Sequence, residues 1–156
     1  MLITALIGLT ALPGCTTNRS TTFSRDRMVG VVYAENGAPV VGAEILLDRV
    51  RSGVSDSFGR FRIPYVQAGK HTITVTAEGY ETAEKTLHLE NRTKLVRVDM
   101  VSLAGLTDLA IAAVEQEQWD EAAALASRMA LVDADDPRTA LMRQIVAAPG
   151  EAEEHR

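Results

Sequence analysis

The chain has 156 residues, of which 46% are hydrophobic, 24% charged and 4% aromatic, and its formal net charge is −5. This length predicts one compact domain or two small ones. The hydrophobic content excludes a wholly disordered chain, and 11 Gly with 5 Pro exclude collagen. Nucleic acid is a poor partner for this charge, because the phosphate backbone repels it.

The N-terminal residues are typical of a leader that is removed. Residues 2–12, LITALIGLTAL, hold no charge. This run is too short to cross about 30 Å of hydrocarbon as a permanent helix, but it suits the core of a signal peptide. Cys15, the only cysteine of the chain, follows shortly after it. The alternative interpretation is a buried N-terminal strand or helix with a structural cysteine.

The run LPGC, which ends at Cys15, resembles the lipobox of bacterial lipoproteins. The resemblance implies a signal peptide at 1–14, a diacylglycerol-modified Cys15 as the mature N-terminus, and a polar tether over 15–27. Two or more acyl chains hold a protein stably in a bilayer. We therefore expect the membrane as a partner, through acyl chains such as palmitate on Cys15. Thr16 favours an anchor in the outer membrane, facing the periplasm.

Alternation of apolar and polar residues dominates the middle of the chain. Over 71–77, three threonines alternate with His71, Ile73 and Val75, the pattern of a half-buried strand. Comparable runs occur at 28–33, 40–47, 59–63, 86–90 and 95–101. Turn signals separate them at 36–37, 52–53, 56–59, 68–69 and 78–79. Six or seven short strands predict a small antiparallel β-sandwich over 28–101.

The same segment contains an ordered set of motif residues that runs from Gly30 through Gly59 to the pair Gly79-Tyr80. The set resembles the carboxypeptidase regulatory-like domain, which has a transthyretin-like Greek-key sandwich. The resemblance implies a structural or ligand-binding role without catalytic residues. From the residues themselves, Asp56 and Gly59 predict a turn, because Asp accepts a backbone hydrogen bond two residues on and Gly adopts positive φ.

Helical periodicity replaces the alternation in the last third of the chain. Apolar residues at spacings of three and four form one stripe over 103–114, which includes Leu109, and a second over 119–130. The pair Asp136-Pro137 predicts a third helix, with Asp as N-cap and Pro at the first helical position. The predicted fold class is therefore α+β: the Greek-key sandwich, then a three-helix segment at 102–148. The last residues, 149–156, are predicted to be a disordered tail.

The spacing of Leu106, Ala113, Trp119, Ala126 and Pro137 resembles one tetratricopeptide repeat. About three such repeats are needed for an independent solenoid. The apolar stripe must therefore be buried against the sandwich, another copy or a partner. Because a sandwich of this size buries little surface by itself, we expect the helical segment to pack against it.

The helical segment also differs from the sandwich in charge. Residues 102–156 carry 4 basic and 11 acidic side chains, a balance of −7. Within the segment, Trp119 has two interpretations. It is either the hydrophobic hinge residue of the helical hairpin or an exposed anchor for a protein partner.

The chain offers few groups for catalysis or metal binding. No serine lies in a Gly-x-Ser-x-Gly elbow, and Cys15 is assigned to lipid. His71, His88 and His155 lack the spacing of zinc ligands, although the first two could meet across strands. The Asp56 turn lacks the further carboxylates of a calcium loop. We therefore predict no enzymatic activity, no cofactor and no metal.

A basic strip on the sandwich is a second candidate site. Arg60 and Arg62 are outward polar positions of a predicted strand, and with Lys70 they form a candidate basic strip for an anionic glycan or phosphate. The sandwich face around Arg60, Arg62, Tyr65 and Tyr80 is the candidate surface for carbohydrate or peptidoglycan. The alternative is that these arginines are ordinary polar positions of an edge strand.

Together these features predict a non-catalytic lipoprotein of the bacterial cell envelope. It would be anchored through Cys15 and would act as a binding or assembly adaptor for other envelope proteins, with Trp119 as the candidate contact. The alternative is a carbohydrate- or peptidoglycan-binding accessory module that uses the basic strip.

Overall fold

The computed structural model describes residues 26–90 and 95–148. The predicted signal peptide, Cys15, the C-terminal tail and His155 lie outside the described residues. Within them, seven strands precede three helices. The strands are β1 (Asp26–Ala34), β2 (Glu44–Leu47), β3 (Val50–Val54), β4 (Arg60–Val66), β5 (Gly69–Thr76), β6 (Ala83–Leu89) and β7 (Leu95–Met100). The helices are α1 (Leu103–Glu115), α2 (Trp119–Val132) and α3 (Pro137–Ala147).

The strands form two sheets, in the orders β4-β1-β7 and β3-β2-β5-β6. The α+β class is thereby confirmed. The expectation of wholly antiparallel sheets is wrong at one pair, because β1 and β7 run parallel. Parallel neighbours need a long connection between them. As β1 and β7 are the first and last strands, the rest of the sandwich supplies that connection.

The predicted turn before β4 is confirmed in detail. Asp56 Oδ1 accepts hydrogen bonds from the backbone N–H groups of Phe58 and Arg60, both at 2.9 Å. Gly59 adopts a φ of 71°, a conformation that favours glycine. The side chain of Asp56 therefore replaces the hydrogen bonds that the backbone gives up where the chain reverses.

The predicted turn at Ser52-Gly53 is wrong, because both residues lie within β3. The chain reverses instead at Asp48 and Arg49, which have φ values of 50° and 69°. Two successive residues at positive φ form the hairpin turn whose twist matches that of the flanking strands. The sequence does not predict a turn at these two positions, because neither residue is glycine. The predicted strand at 40–47 is also shorter, since Gly42 has a φ of 74° and β2 begins only at Glu44.

The two sheets of the sandwich close a core of their own. Alternate residues of β7 point inward, as its exposed–buried pattern shows. The largest buried side chains of this core include Met28, Val32, Val40, Ile45, Ile73, Val75 and Met100.

The helices form a second, separate core rather than packing on the first. Its members are Leu103, Leu106, Ala110, Ala113, Ala122, Leu125, Ala126, Met129 and Met142. The expectation that the helical segment packs its apolar stripe against the sandwich is therefore wrong. The alanines let α1 and α2 approach closely, and α3 covers the pair with Met142, so the stripe is largely buried among the helices themselves.

The start of α3 follows the sequence prediction. Asp136 is the N-cap, its side chain accepts a hydrogen bond from the N–H of Arg138 at 2.8 Å, and Pro137 occupies the first helical position. Leu109 departs from the predicted apolar stripe of α1, because 51% of it is exposed.

Candidate functional site

A polar contact joins the sandwich to the first helix. Glu35, in the turn after β1, accepts hydrogen bonds from the Ser102 N–H at 3.0 Å and from its hydroxyl at 2.6 Å. The same hydroxyl oxygen accepts a hydrogen bond from the Gly105 N–H at 3.0 Å and so caps α1. A Cβ on Gly105 would collide with the Glu35 carboxylate. Burial raises the pKa of Glu35, but the hydrogen bonds from Ser102 outweigh it and the net pKa is lowered.

A second polar contact joins the sandwich to α2. Arg128 donates from Nε and Nη2 to the two carboxylate oxygens of Glu81, at 2.9 and 2.7 Å. These hydrogen bonds lower the pKa of Glu81. The two residues are 47 positions apart, and no local sequence pattern marks the pair. Together with the Glu35 contact, it holds the helical segment at one end of the sandwich.

The turn between α1 and α2 is a C-terminal helix cap. The Gln118 N–H donates to Ala113 O at 2.8 Å, and the Glu117 N–H donates to Val114 O at 3.0 Å. This is the Schellman arrangement, in which the residue after the helix adopts a left-handed conformation. Glu117 occupies that position with a φ of 58°. Its carboxylate is consequently displayed where glycine is the usual residue.

An apolar groove runs between α1 and α2, with a volume of about 240 Å³. We call it the helical groove and define it by its lining residues, Leu109, Ala112, Ala113, Gln116, Gln118, Glu121, Leu125 and Arg128. The alanines leave its floor shallow, and Leu109 at its margin is half exposed. The groove is therefore apolar surface that the fold itself does not cover.

Trp119 lies beside the helical groove, at the first residue of α2, and is half-buried. It lines a depression together with Glu117, Gln118, Asp120 and Glu121. Gln118 and Glu121 line both the depression and the groove, so the two features are continuous. This placement is compatible with both sequence interpretations of Trp119, hinge residue and partner contact.

The structure only partly brings together the residues of the predicted basic strip. Arg60 and Arg62 share a depression on β4. However, Arg60 forms an ion pair with Asp56, Nη2 to Oδ2 at 2.9 Å, and its guanidinium lies 4.7 Å from the Phe58 ring centre.

The two tyrosines lie apart from that depression. Tyr65 is near the far end of β4 and is 72% exposed, with a φ of 61°. Tyr80 forms an isolated bridge with Ser102 at the start of the helical segment. Tyr80 is also packed partly against the sandwich core. The four residues therefore do not form one face.

The two histidines of the sandwich do not meet. His71 lies opposite Leu87 and His88 opposite Lys70, so the two rings point to opposite faces of the sheet. His71 instead approaches Asp48, Nδ1 to Oδ2 at 2.7 Å, and its Nε2 approaches Gln67 O at 2.9 Å. Because a carboxylate and a carbonyl only accept, both ring nitrogens donate in the fully bonded state and the imidazole is cationic.

The His71 contact predicts pH-dependent stability. The hydrogen bond with Asp48 raises the pKa of His71 above 6.5, against burial, which lowers it. The bond from the Thr72 backbone, then that from His71, lowers the pKa of Asp48 below 3.8. The contribution of His71 is thus complete below pH 6.5 and is lost as the pH rises through its raised folded-state pKa. Asp48→Asn should lower the free energy of unfolding by about 0.5 kcal/mol at pH 6 and by less at pH 9, as measured by urea unfolding.

The matched control for this prediction is Asp99→Asn. Asp99 forms an exposed ion pair with Arg97, Nε to Oδ1 at 2.7 Å, and arginine stays charged across this pH range. Asp99→Asn should therefore lower the free energy of unfolding by the same amount at pH 6 and at pH 9. An equal cost for Asp48→Asn at both pH values would contradict the assignment of a cationic His71.

No three His, Cys, Asp or Glu side chains within residues 26–90 and 95–148 come together in a group that could hold a metal ion. None of the three described helices has the length and apolar character to cross a bilayer.

Within the described residues, the fold is a two-sheet β-sandwich of seven strands followed by three helices. Residues 27–101 match the carboxypeptidase regulatory-like domain. The matched segment coincides with the sandwich. No curated protein sequence matches the chain.

Solved structures with similar folds include three of bacterial origin. A type II cohesin–X-dockerin complex from Acetivibrio cellulolyticus is 23% identical, with a TM-score of 0.42, covering 48% of this chain and 56% of that one. The TIE protein of Bacillus anthracis is 11% identical, with a TM-score of 0.42 and coverages of 49% and 16%. A candidate carbohydrate-binding protein from Pseudomonas aeruginosa is 12% identical, with a TM-score of 0.38 and coverages of 48% and 88%. The match thus spans about half of the first of these chains and a small part of the second.

Proposed function

We propose that this protein is a non-catalytic lipoprotein of the bacterial cell envelope that acts as a binding or assembly adaptor for other envelope proteins. The observation that carries the binding role is the separation of the two cores. Because the sandwich closes its own core, the helices are not needed to cover it. They present the helical groove and Trp119 at one end of the molecule instead.

The proposed absence of catalysis draws support from the chemistry of His71. Both of its ring nitrogens are engaged, with Asp48 and with the Gln67 carbonyl. A histidine whose two ring nitrogens are both held by acceptors of the same protein does not offer a free nitrogen to a substrate as general base. The family resemblance of the sandwich adds to this, since it implies a module without catalytic residues.

The proposed anchor rests on the lipobox resemblance at Cys15, which lies outside the described residues. Acylation there would leave the chain held by two or more acyl chains, facing the periplasm from the outer membrane. A metabolic label with a fatty-acid analogue tests this directly. The native chain should carry the label and Cys15→Ser should not. Equal label on the two proteins would contradict the anchor.

The adaptor role is tested by cross-linking in intact envelopes. Trp119→Ala should reduce recovery of a defined partner severalfold, because the substitution removes the aromatic surface beside the helical groove. The matched control is Leu131→Ala, a truncation on the same helix at a side chain that is 85% exposed. Recovery that is unchanged by Trp119→Ala would contradict this placement of the partner site, and the absence of any defined partner would contradict the adaptor role.

The glycan-binding alternative has less support from the geometry. The ion pair with Asp56 already neutralises Arg60, and Tyr80 lies at the helical end of the sandwich. Binding of purified sacculi that is abolished by Arg62→Ala would favour this alternative over the adaptor.

A further inference from the structure

The helical groove is a hollow of about 240 Å³ between two helices. Ala112, Ala113 and Leu125 are among its lining residues, and small residues allow helix axes to approach closely. Leu109 stands at the margin and is 51% exposed. An amphipathic helix laid in such a groove removes this apolar surface from water.

Carboxylates border the groove and the Trp119 depression. Glu117, Asp120 and Glu121 are all exposed and line the Trp119 depression, and Glu121 also lines the groove. None of the three takes part in an ion pair within residues 26–90 and 95–148. Arg128, the basic residue in the lining, is already paired with Glu81. The uncompensated charge around the groove is therefore negative.

Glu117 adds a conformational observation to the electrostatic one. A left-handed backbone is unfavourable for a non-glycine residue. Glu117 holds this conformation at the turn where a Schellman cap favours glycine. The position thus combines an unfavourable backbone with an exposed carboxylate next to Trp119.

The charge decides which occupant fits. A second copy of this chain would bring the same carboxylates to the interface, and like charges brought together there oppose association. Anionic lipid headgroups and nucleic acids are disfavoured for the same reason. An amphipathic helix that carries lysine or arginine fits the groove better. Its basic side chains complement the carboxylates around the groove, and its apolar face covers Leu109.

We propose that the helical groove binds a basic amphipathic helix of a partner protein, with apolar side chains over Leu109 and lysine or arginine side chains against Glu117, Asp120 and Glu121. A cation at that end also lies close to the face of Trp119, where an aromatic ring attracts it. This inference rests on the proposed adaptor function and names the chemistry of the partner.

Binding of a synthetic helix tests the proposal. The probe is an amphipathic peptide of leucine and lysine, titrated into the full chain and followed by calorimetry and by the fluorescence of Trp119, the only tryptophan. Saturable binding that weakens steeply with salt is expected, together with a gain of peptide helicity. A peptide of the same pattern with glutamate in place of lysine should not bind.

Two pairs of variants localise the binding. Glu117→Lys with Asp120→Lys should weaken binding about tenfold or more. Glu78→Lys with Asp135→Lys makes the same change in net charge at residues that line neither the groove nor the depression, and it should weaken binding by only about twofold. Leu109→Ser should weaken it, and Leu131→Ser should not. Far-UV circular dichroism shows whether each variant keeps its helices. Equal losses in the members of either pair, or equal binding of the glutamate peptide, would overturn the proposal.

The outcome is separable from that of the adaptor proposal. If the lysine peptide fails to bind while a defined partner is still recovered through Trp119, the adaptor function stands and the basic-helix inference is overturned. If the peptide binds in the groove as described, the inference is supported even before a native partner is identified.

Discussion

Replacing Gly30 with alanine should destabilise the sandwich by about 3 kcal/mol, a large part of the total stability of a small domain. Gly30 lies directly opposite Phe61 in the β1–β4 pair. A Cβ at this position would overlap the Phe61 ring and would lie 2.7 Å from the Val96 carbonyl oxygen. Phe61 is 3% exposed within the core, so its ring has no free space into which to turn.

The matched control for Gly30→Ala is Gly53→Ala. Gly53 also lies in a strand, but a Cβ there would meet only the Arg62 carbonyl oxygen, at 3.5 Å, an ordinary contact. Its effect on stability should be small. Urea unfolding of both variants measures the difference. Equal midpoints for the two variants would show that β1 and Phe61 are not packed as described.

Leu106→Ala should cost the helical segment about 2–5 kcal/mol, because it removes a fully buried side chain and leaves a cavity. Leu106 belongs to the helical core and not to the sandwich core. The unfolding transition seen by Trp119 fluorescence should therefore shift to lower urea. Protection of the strand amides from hydrogen exchange should persist beyond that transition.

The counterpart of this variant is Ile45→Ala, which opens a cavity of similar origin in the sandwich core. Ile45→Ala should lower the free energy of unfolding of the sandwich, measured by hydrogen exchange of the strand amides. This loss should be at least as large as the loss that Leu106→Ala causes in the free energy of unfolding of the helices. If each variant instead lowered the stability measured by Trp119 fluorescence and by hydrogen exchange of the strand amides equally, the two cores would unfold as a single cooperative unit. That result would contradict the separation on which the adaptor proposal depends.

The candidate site was only partly visible in the sequence. Trp119 was identified by its place in the helical pattern, but the exposure of Leu109 was not, because the spacing places it in the apolar stripe that the helices bury. Glu81 and Arg128 were missed altogether. Hydrogen-bonded pairs between distant segments leave no periodic signal, so only the folded chain reveals them.

The sequence by itself determined the local structure of this protein. Alternation produced the strands, spacings of three and four produced the helices, and the caps and turns at Asp56 and Asp136 follow from side-chain hydrogen bonds within four residues. The tertiary structure alone decided that β1 and β7 run parallel and that the helices close a core apart from the sandwich. It also decided that His71 contacts Asp48 rather than His88. Local pattern fixes which face of an element is apolar, whereas the partner of that face depends on packing between segments far apart in the chain.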